Sequence, residues 1–370
     1  MSSNTVPTCI VVKVGTAVLS LEEGGLNQDR IDALATELAE ARAQGFSPVL
    51  VTSGAIGAGM DVFHWKTRPT VLRDKQAAAA VGQVSLMEAY KKAFAAHNVT
   101  VAQILLTRAD LDDRERYLNI RNTLRALLER QILPILNEND TVATQEIKFG
   151  DNDTLSALVA AKMDASHLFL LTDVCGLLTD PGAEETLLPE VFRITPDIEA
   201  LVQAGTGSRK SVGGMGSKLL AARLAMASGV DVWIASGRVP GVVLDILNGR
   251  GVGTRFVASP EALNARKRWI AFGRRPRGSV FLDDGAVRAI TEGKRSLLPS
   301  GVVKTEGIFG PGDTVKLISR HGVEIARGLT AFGAEDLRKI MGKSSLDIPG
   351  VLGRSSPSEI VHRNNLVVLS

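Results

Sequence analysis

Two lysines beside glycine turns and a crowd of carboxylates and amides are the residues of this chain best suited to chemistry. The densest group lies in residues 137–157, NENDTVATQEIKFGDNDTLSA, which holds Asn137, Asn139, Asp140, Asp151, Asn152 and Asp153. Lys13 follows an apolar run and is itself followed by Gly15, whose backbone can approach a ligand closely, a pairing that suits an anionic phosphate. Ser53 and Gly54 open a run with Gly57 and Gly59 that leaves backbone N–H groups open to an anion at a helix start. SRKSVGGMGSK, residues 208–218, is a second candidate phosphate cradle with Lys218 at the start of an apolar helix. Each signal has an ordinary alternative. Asx residues favour turns and N-caps whatever the function, a strand-edge lysine is commonly solvated, and a glycine loop can be a surface turn. The glycine spacings match neither the dinucleotide fingerprint nor the Walker A loop. Gly342, Lys343 and Ser344 imitate the end of a P-loop, but Leu337 stands where its first glycine belongs.

What turns these signals into one site is the set of elements that carries them. Short apolar runs at 9–12, 48–52, 132–136 and 167–171 read as buried parallel strands. They end in Lys13, in Ser53, in the Asn137 cluster and in Thr172 with Asp173. Parallel strands would bring all four ends to one edge of a sheet, where open α/β folds bind their ligands. Further strands are expected at 99–106 and 230–235. Helices are expected around Ile31, Leu34 and Leu38 with Asn27 as cap and Gly45 as stop, over the alanine-rich 75–92, around Ile120 to Leu128, and after Asp153.

The 370 residues, 45% hydrophobic and 4% aromatic, supply a sizeable core and more chain than one ordinary domain needs. A net charge of +3 argues against a protein whose main business is gripping a phosphate backbone. Cys9 and Cys175 form neither a metal-ligand spacing nor a disulfide framework, and MSSNTVPT lacks the character of a signal peptide. The expectation is a cytoplasmic protein without a membrane span. Near Gly278 the character changes. Arg266, Lys267, Arg268, Arg274, Arg275 and Arg277 crowd around Trp269, and beyond them short segments separated by glycines suggest a small, mostly-β domain.

In order and spacing, VVKVGT at 11–16, VTSGAIGAG at 51–59, LLTRADLDDRERYLN at 105–119, NEND with GDND, LLTD at 170–173 and GGMGSK at 213–218 resemble the bacterial glutamate 5-kinases of the amino-acid kinase superfamily. VFLDDGAVRAI, SLLPSGV and GIFGPGD near the end resemble a PUA domain, a module that binds RNA in other proteins. The resemblance implies an open, mainly parallel sheet sandwiched by helices over 1–260, a basic linker over 261–277, and a PUA-like domain with its tail over 278–370. It implies transfer of the γ-phosphoryl group of ATP to the side-chain carboxylate of L-glutamate, the first step toward proline, with proline as inhibitor. Lys13 and Lys218 would neutralise the group in flight, and Asp153 would hold them. Ser53, Gly54, Asn137, Asp140 and Asn152 would bind glutamate. Lys13, Thr172, Asp173, Val212, Gly213, Gly214, Met215, Gly216, Ser217 and Lys218 would hold ATP, with Mg2+ carried mainly on its phosphates rather than by a protein metal site. The family also suggests a homodimer or homotetramer, and RNA as a candidate partner of the terminal domain. Val212 and Ser217 stand where threonines are common. Two rivals remain: a related kinase with another carboxylate or carbamate acceptor, and an RNA-binding or regulatory protein with a vestigial site.

Overall fold

A computed structural model describes residues 8–21, 24–142, 151–180, 183–204, 214–259, 267, 270 and 276–369. Val212, Gly213, the segment 143–150 and most of the basic run, including Arg266, Arg268, Trp269, Arg274 and Arg275, lie outside these residues. The chain forms two compact units, Met1–Ala262 and Leu263–Ser370.

The first unit is built on strands β1 (Thr8–Val14), β2 (Phe46–Val51), β3 (Val101–Leu106), β4 (Leu133–Glu138), β5 (His167–Thr172), β6 (Glu190–Val191), β7 (Asp231–Ser236) and β8 (Thr254–Phe256). They form one sheet in the order β3-β4-β2-β1-β5-β7-β8-β6. From β3 to β7 all neighbours are parallel, and the β7–β8 pair alone runs antiparallel. The central strands are apolar without alternation because helices cover both faces, and Ile10, Val11, Val12, Val49, Leu50 and Leu170 are fully buried. Register then does the positioning: Lys13 lies opposite Val51 on one side and Leu170 on the other, and Val51 opposite Leu136. The four polar strand ends read from the sequence therefore share one edge. β6 and β8, two and three residues long, carry too little pattern to be read in advance.

The helices obey local rules. Gln28–Ala43 begins where the Asn27 side chain accepts from the Arg30 N–H at 3.0 Å, and Arg114–Glu129 where Asp113 accepts from that of Arg116 at 2.9 Å. Leu72–Ala95 buries a stripe of Ala78, Ala79, Gly82, Gln83, Leu86, Tyr90, Ala93 and Phe94. Its large apolar members each contribute roughly 1.5–3 kcal/mol by leaving water. The shorter helix Ala55–Val62 lies hard against this stripe. A Cβ at Gly59 would fall 1.8 Å from the Ala78 carbonyl oxygen, and one at Gly82 1.9 Å from that of Ala55. Gly54 precedes the short helix at φ +101°, a conformation that side chains resist. Two of the glycines first read as anion donors thus have structural duties.

The second unit contains β9 (Gly278–Leu282), β10 (Val302–Gly307), β11 (Thr314–Ser319), β12 (Glu324–Leu329) and β13 (Leu366–Val368) in the order β10-β9-β11-β12-β13. All pairs are antiparallel except β9 with β11. Helices Asp284–Thr291 and Ala334–Ile340 add Ile290, Leu337 and Ile340 to a core formed with Val280, Leu282, Val315 and Leu317. Among the described residues no helix is long and apolar enough to cross a membrane.

Candidate active site

Where β1 ends, the Lys13 ammonium meets the first turn of helix Asp151–Lys162. Its Nζ lies 2.6 Å from Asp153 Oδ1, and Lys218 Nζ, from the first turn of helix Met215–Met226, lies 3.6 Å from Oδ2. The Ser217 hydroxyl donates to the same Oδ2 at 2.6 Å. Asp153 is 1% exposed, Lys218 5% and Lys13 6%. Burial pushes the Asp153 carboxyl up, but the two ammonium groups and the Ser217 hydroxyl outweigh it and hold the carboxyl below its ordinary value. Lys218 is lowered, first by burial and further by Lys13, with Asp153 and Asp173 only partly offsetting this. Asp153 occupies the helix interior rather than its cap, so the capping alternative fails for this residue. Asp153 is the carboxylate within ion-pair distance of both ammonium groups, and the Asp173 carboxylate acts on Lys218 as well. Two ammonium groups this close together suit an incoming anion such as a phosphoryl group. A Cβ on Gly15 would come 3.8 Å from Lys13 Nζ, so this glycine leaves the approach to the ammonium open.

Beside this ionic group lies a neutral one. Asn152 Nδ2 donates to the Thr52 carbonyl at 2.9 Å, Ser53 Oγ at 3.0 Å and Asn137 Oδ1 at 3.1 Å. Asn137 Oδ1 also accepts from the Glu138 N–H at 2.9 Å, and Asn137 Nδ2 donates to Gln83 Oε1 at 2.8 Å. Thr52 Oγ1 and the buried Tyr90 hydroxyl are 2.8 Å apart. Ser53, Asn137 and Asn152 are therefore brought together, with Gly54 next in the chain. Asp140, half-buried, sits at the end of β4, two residues beyond Glu138. Thr172 is buried at the end of β5 and donates to the exposed Asp173 at 3.0 Å. Gly214, Met215 and Gly216 form the start of the Met215–Met226 helix, where Ser217 also donates to the Gly214 carbonyl at 2.9 Å. Val212 and Gly213 lie outside the described residues.

Gln83, Thr52 and Tyr90 were not singled out in the sequence. The available signal was a glutamine on the apolar stripe of an alanine-rich helix, a buried polar group that needs a partner. Among the described residues no three His, Cys, Asp or Glu side chains gather as a metal site.

The amino acid kinase family model matches residues 8–236, and the PUA domain model residues 278–352. The glutamate 5-kinase of Moorella thermoacetica is 49% identical over 363 residues, 97% of this chain and 96% of the relative. That of Myxococcus xanthus is 48% identical over 365 residues, 97% and 96% of the two chains. The Synechococcus glutamate 5-kinase is 45% identical over 370 residues, covering 99% of this chain and all of the relative. A lysine-flanked carboxylate and a neutral amide group at the same sheet edge thus occur in a chain that belongs to the amino acid kinase family and, by similarity along nearly its whole length, to the glutamate 5-kinases within it.

Proposed function

We propose that this chain transfers the γ-phosphoryl group of ATP to the side-chain carboxylate of L-glutamate, and that Lys13, Asp153 and Lys218 are the groups around which the transfer takes place. The observation that carries the reading is the pair of buried ammonium groups gathered on one carboxylate, set beside a hydrogen-bonded group of neutral amides. In the transfer, a glutamate side-chain oxygen forms the new bond to the γ-phosphorus. The bond from that phosphorus to the β–γ bridging oxygen breaks, and ADP leaves with the electron pair. A carboxylate needs no general base, so the protein's work is positioning and charge stabilisation. Lys13 and Lys218 meet the charge spread over the phosphoryl oxygens. Asp153 keeps the two ammonium groups oriented and, by its low proton affinity, stays ionised while doing so.

Ser53, Gly54, Asn137, Asp140 and Asn152 form the glutamate side, with the Asp140 carboxylate suited to the substrate ammonium. Thr172, Asp173 and residues 212–218 form the ATP side. Asp153 is committed to the lysines, so the oxygen ligands left for Mg2+ are chiefly those of the phosphates, a hard donor set that fits the ion. When bound, Mg2+ would draw charge from the phosphate oxygens. Proline, an amino acid with the same ammonium and carboxylate, would compete at the glutamate side.

The test is ADP release from MgATP with glutamate, aspartate, N-acetylglutamate or carbamate as acceptor, with hydroxylamine present to trap acyl phosphate. Hydroxamate from glutamate alone is expected, with proline raising the apparent KM for glutamate. Turnover with a different acceptor would replace the substrate, and no turnover would remove the kinase reading.

A further inference from the structure

We propose that Gln83 is a positioning residue for the acceptor substrate: it fixes the Asn137 amide, and through it the Asn152 amide, so that Asn152 Oδ1 is held as an acceptor for the ammonium of the incoming amino acid. The proposal rests on the reading of Asn137 and Asn152 as glutamate contacts.

Backbone groups fix the direction of the amide chain. The Glu138 N–H can only donate, so the atom it meets at 2.9 Å is Asn137 Oδ1. The Thr52 carbonyl can only accept, so the atom it meets at 2.9 Å is Asn152 Nδ2. Asn137 must then turn its Nδ2 away from Asn152, and at 2.8 Å it finds Gln83 Oε1. Asn152 Nδ2 faces three acceptors, while Asn152 Oδ1 is buried and meets no hydrogen-bond donor among the described residues. Native proteins seldom leave such an acceptor unmatched, and an amino-acid ammonium supplies the missing donor. Without an acceptor at position 83, Asn137 Nδ2 would lose its partner and its reason to point inward. A reversed Asn137 amide would set an NH2 group against the Asn152 NH2 and against the Glu138 N–H. Gln83 itself is 9% exposed and is held on the buried stripe of helix Leu72–Ala95 next to Gly82, where the neighbouring helix approaches most closely.

Steady-state kinetics on the full-length protein, varying glutamate and ATP separately, tests this. Gln83→Met keeps the volume and removes the acceptor. It is expected to raise the KM for glutamate about tenfold or more, while the KM for ATP and the turnover at saturating glutamate stay near their original values. Gln83→Glu, whose side chain still accepts from Asn137, should recover most of the loss. Gln83→Asn is polar but one methylene too short to reach, so it should behave like Gln83→Met, and it serves if the methionine variant does not fold. An unchanged KM for glutamate in either of these two variants overturns the proposal. So does a rise of both KM values together with a fall in turnover and melting temperature that Gln83→Glu does not reverse, because a merely structural glutamine would act that way. Asn152→Ala separates the two levels of the argument. A raised KM for glutamate there with none in Gln83→Met defeats only the positioning role, whereas no change in Asn152→Ala defeats the acceptor reading beneath it as well.

Discussion

The two sides of the site solve different problems with different chemistry. On the phosphoryl side the Asp153 carboxylate is met, among the described residues, by two ammonium groups and a hydroxyl. On the acceptor side Gln83, Asn137, Asn152 and Ser53 are joined by directional bonds between neutral groups. Charge is effective where charge is redistributed in the transition state, because buried ammonium groups stabilise it without first reorganising water. Neutral amides do little for the rate, but they make a mismatched substrate leave buried polar groups unpaired, which is a strong basis for discrimination. The comparison predicts that damage on the first side falls on turnover and damage on the second falls on the KM for glutamate.

Asp153→Asn should be the severest break, because it removes the carboxylate that two buried ammonium groups share. Removing one partner from a buried pair costs about 3–5 kcal/mol. Turnover should fall as well, since neither lysine keeps its orientation. Denaturant unfolding and kcat measured on the same preparation would check both. The wild-type protein gives a matching pH signature. The Asp153 carboxyl titrates below its ordinary 3.8 when folded, so the folded state binds fewer protons than the unfolded chain in that window. This contribution to stability is therefore complete above pH 3.8 and is lost as pH falls through the lower, folded value. Asp153→Asn should remove that acid sensitivity.

Lys13→Ala and Lys218→Ala come next. Each should lower kcat by about a hundredfold to a thousandfold, the range found when one donor to a developing charge is removed. Stability should change much less than in Asp153→Asn, because each variant removes one of two buried cations that repel each other and leaves Asp153 its other partner. Near-normal turnover in either would take that lysine out of the mechanism. Lys218 also sets an alkaline limit: its ammonium is lowered from the ordinary 10.5, so kcat should begin to fall below that pH. In Lys218→Arg the limit set by this group should vanish, since guanidinium stays protonated there.

Much of the site, on both sides, was legible in the sequence, because its polar residues are attached to patterned strands. Lys13, Ser53, Asn137 and Thr172 each follow an apolar run, and a parallel sheet carries the ends of such runs to one edge without further information. Asp153 was legible as one of a crowd of acids, but its pairing with Lys13 and Lys218 was implied by family resemblance and is visible only once two helix starts are brought together. The acceptor side was half hidden. Gln83 lies more than fifty residues before Asn137, inside a helix whose alanines suggest only packing, and what joins them is a crossing of backbones that no local pattern encodes. The packing duty in VTSGAIGAG was hidden for the same reason. Gly59 was read as part of an anion-binding run, and the structure adds that a Cβ there would strike the Ala78 carbonyl of the neighbouring helix.

That crossing is where the acceptor side can be disturbed most gently. At Gly82 an added Cβ would lie 1.9 Å from the Ala55 carbonyl oxygen and 2.3 Å from the Gly59 nitrogen, both backbone atoms that cannot turn aside. Alanine improves helix propensity by about 1 kcal/mol over glycine, but overpacking costs about 1–3 kcal/mol, so Gly82→Ala should be destabilising on balance. Gly57, on the neighbouring helix, is the control. Its Cβ would meet Ser20 Oγ at 3.7 Å, an ordinary contact, so Gly57→Ala should be neutral or slightly stabilising. Pushing the two helices apart moves Gln83 away from Asn137, while Lys13, Asp153 and Lys218 are held by other elements. Gly82→Ala should therefore raise the KM for glutamate and leave turnover at saturating substrate nearly intact. Equal effects of the two alanines on unfolding would mean that the close approach carries no energetic weight. A loss of kcat without a change in KM would mean that the two sides of the site are not separable.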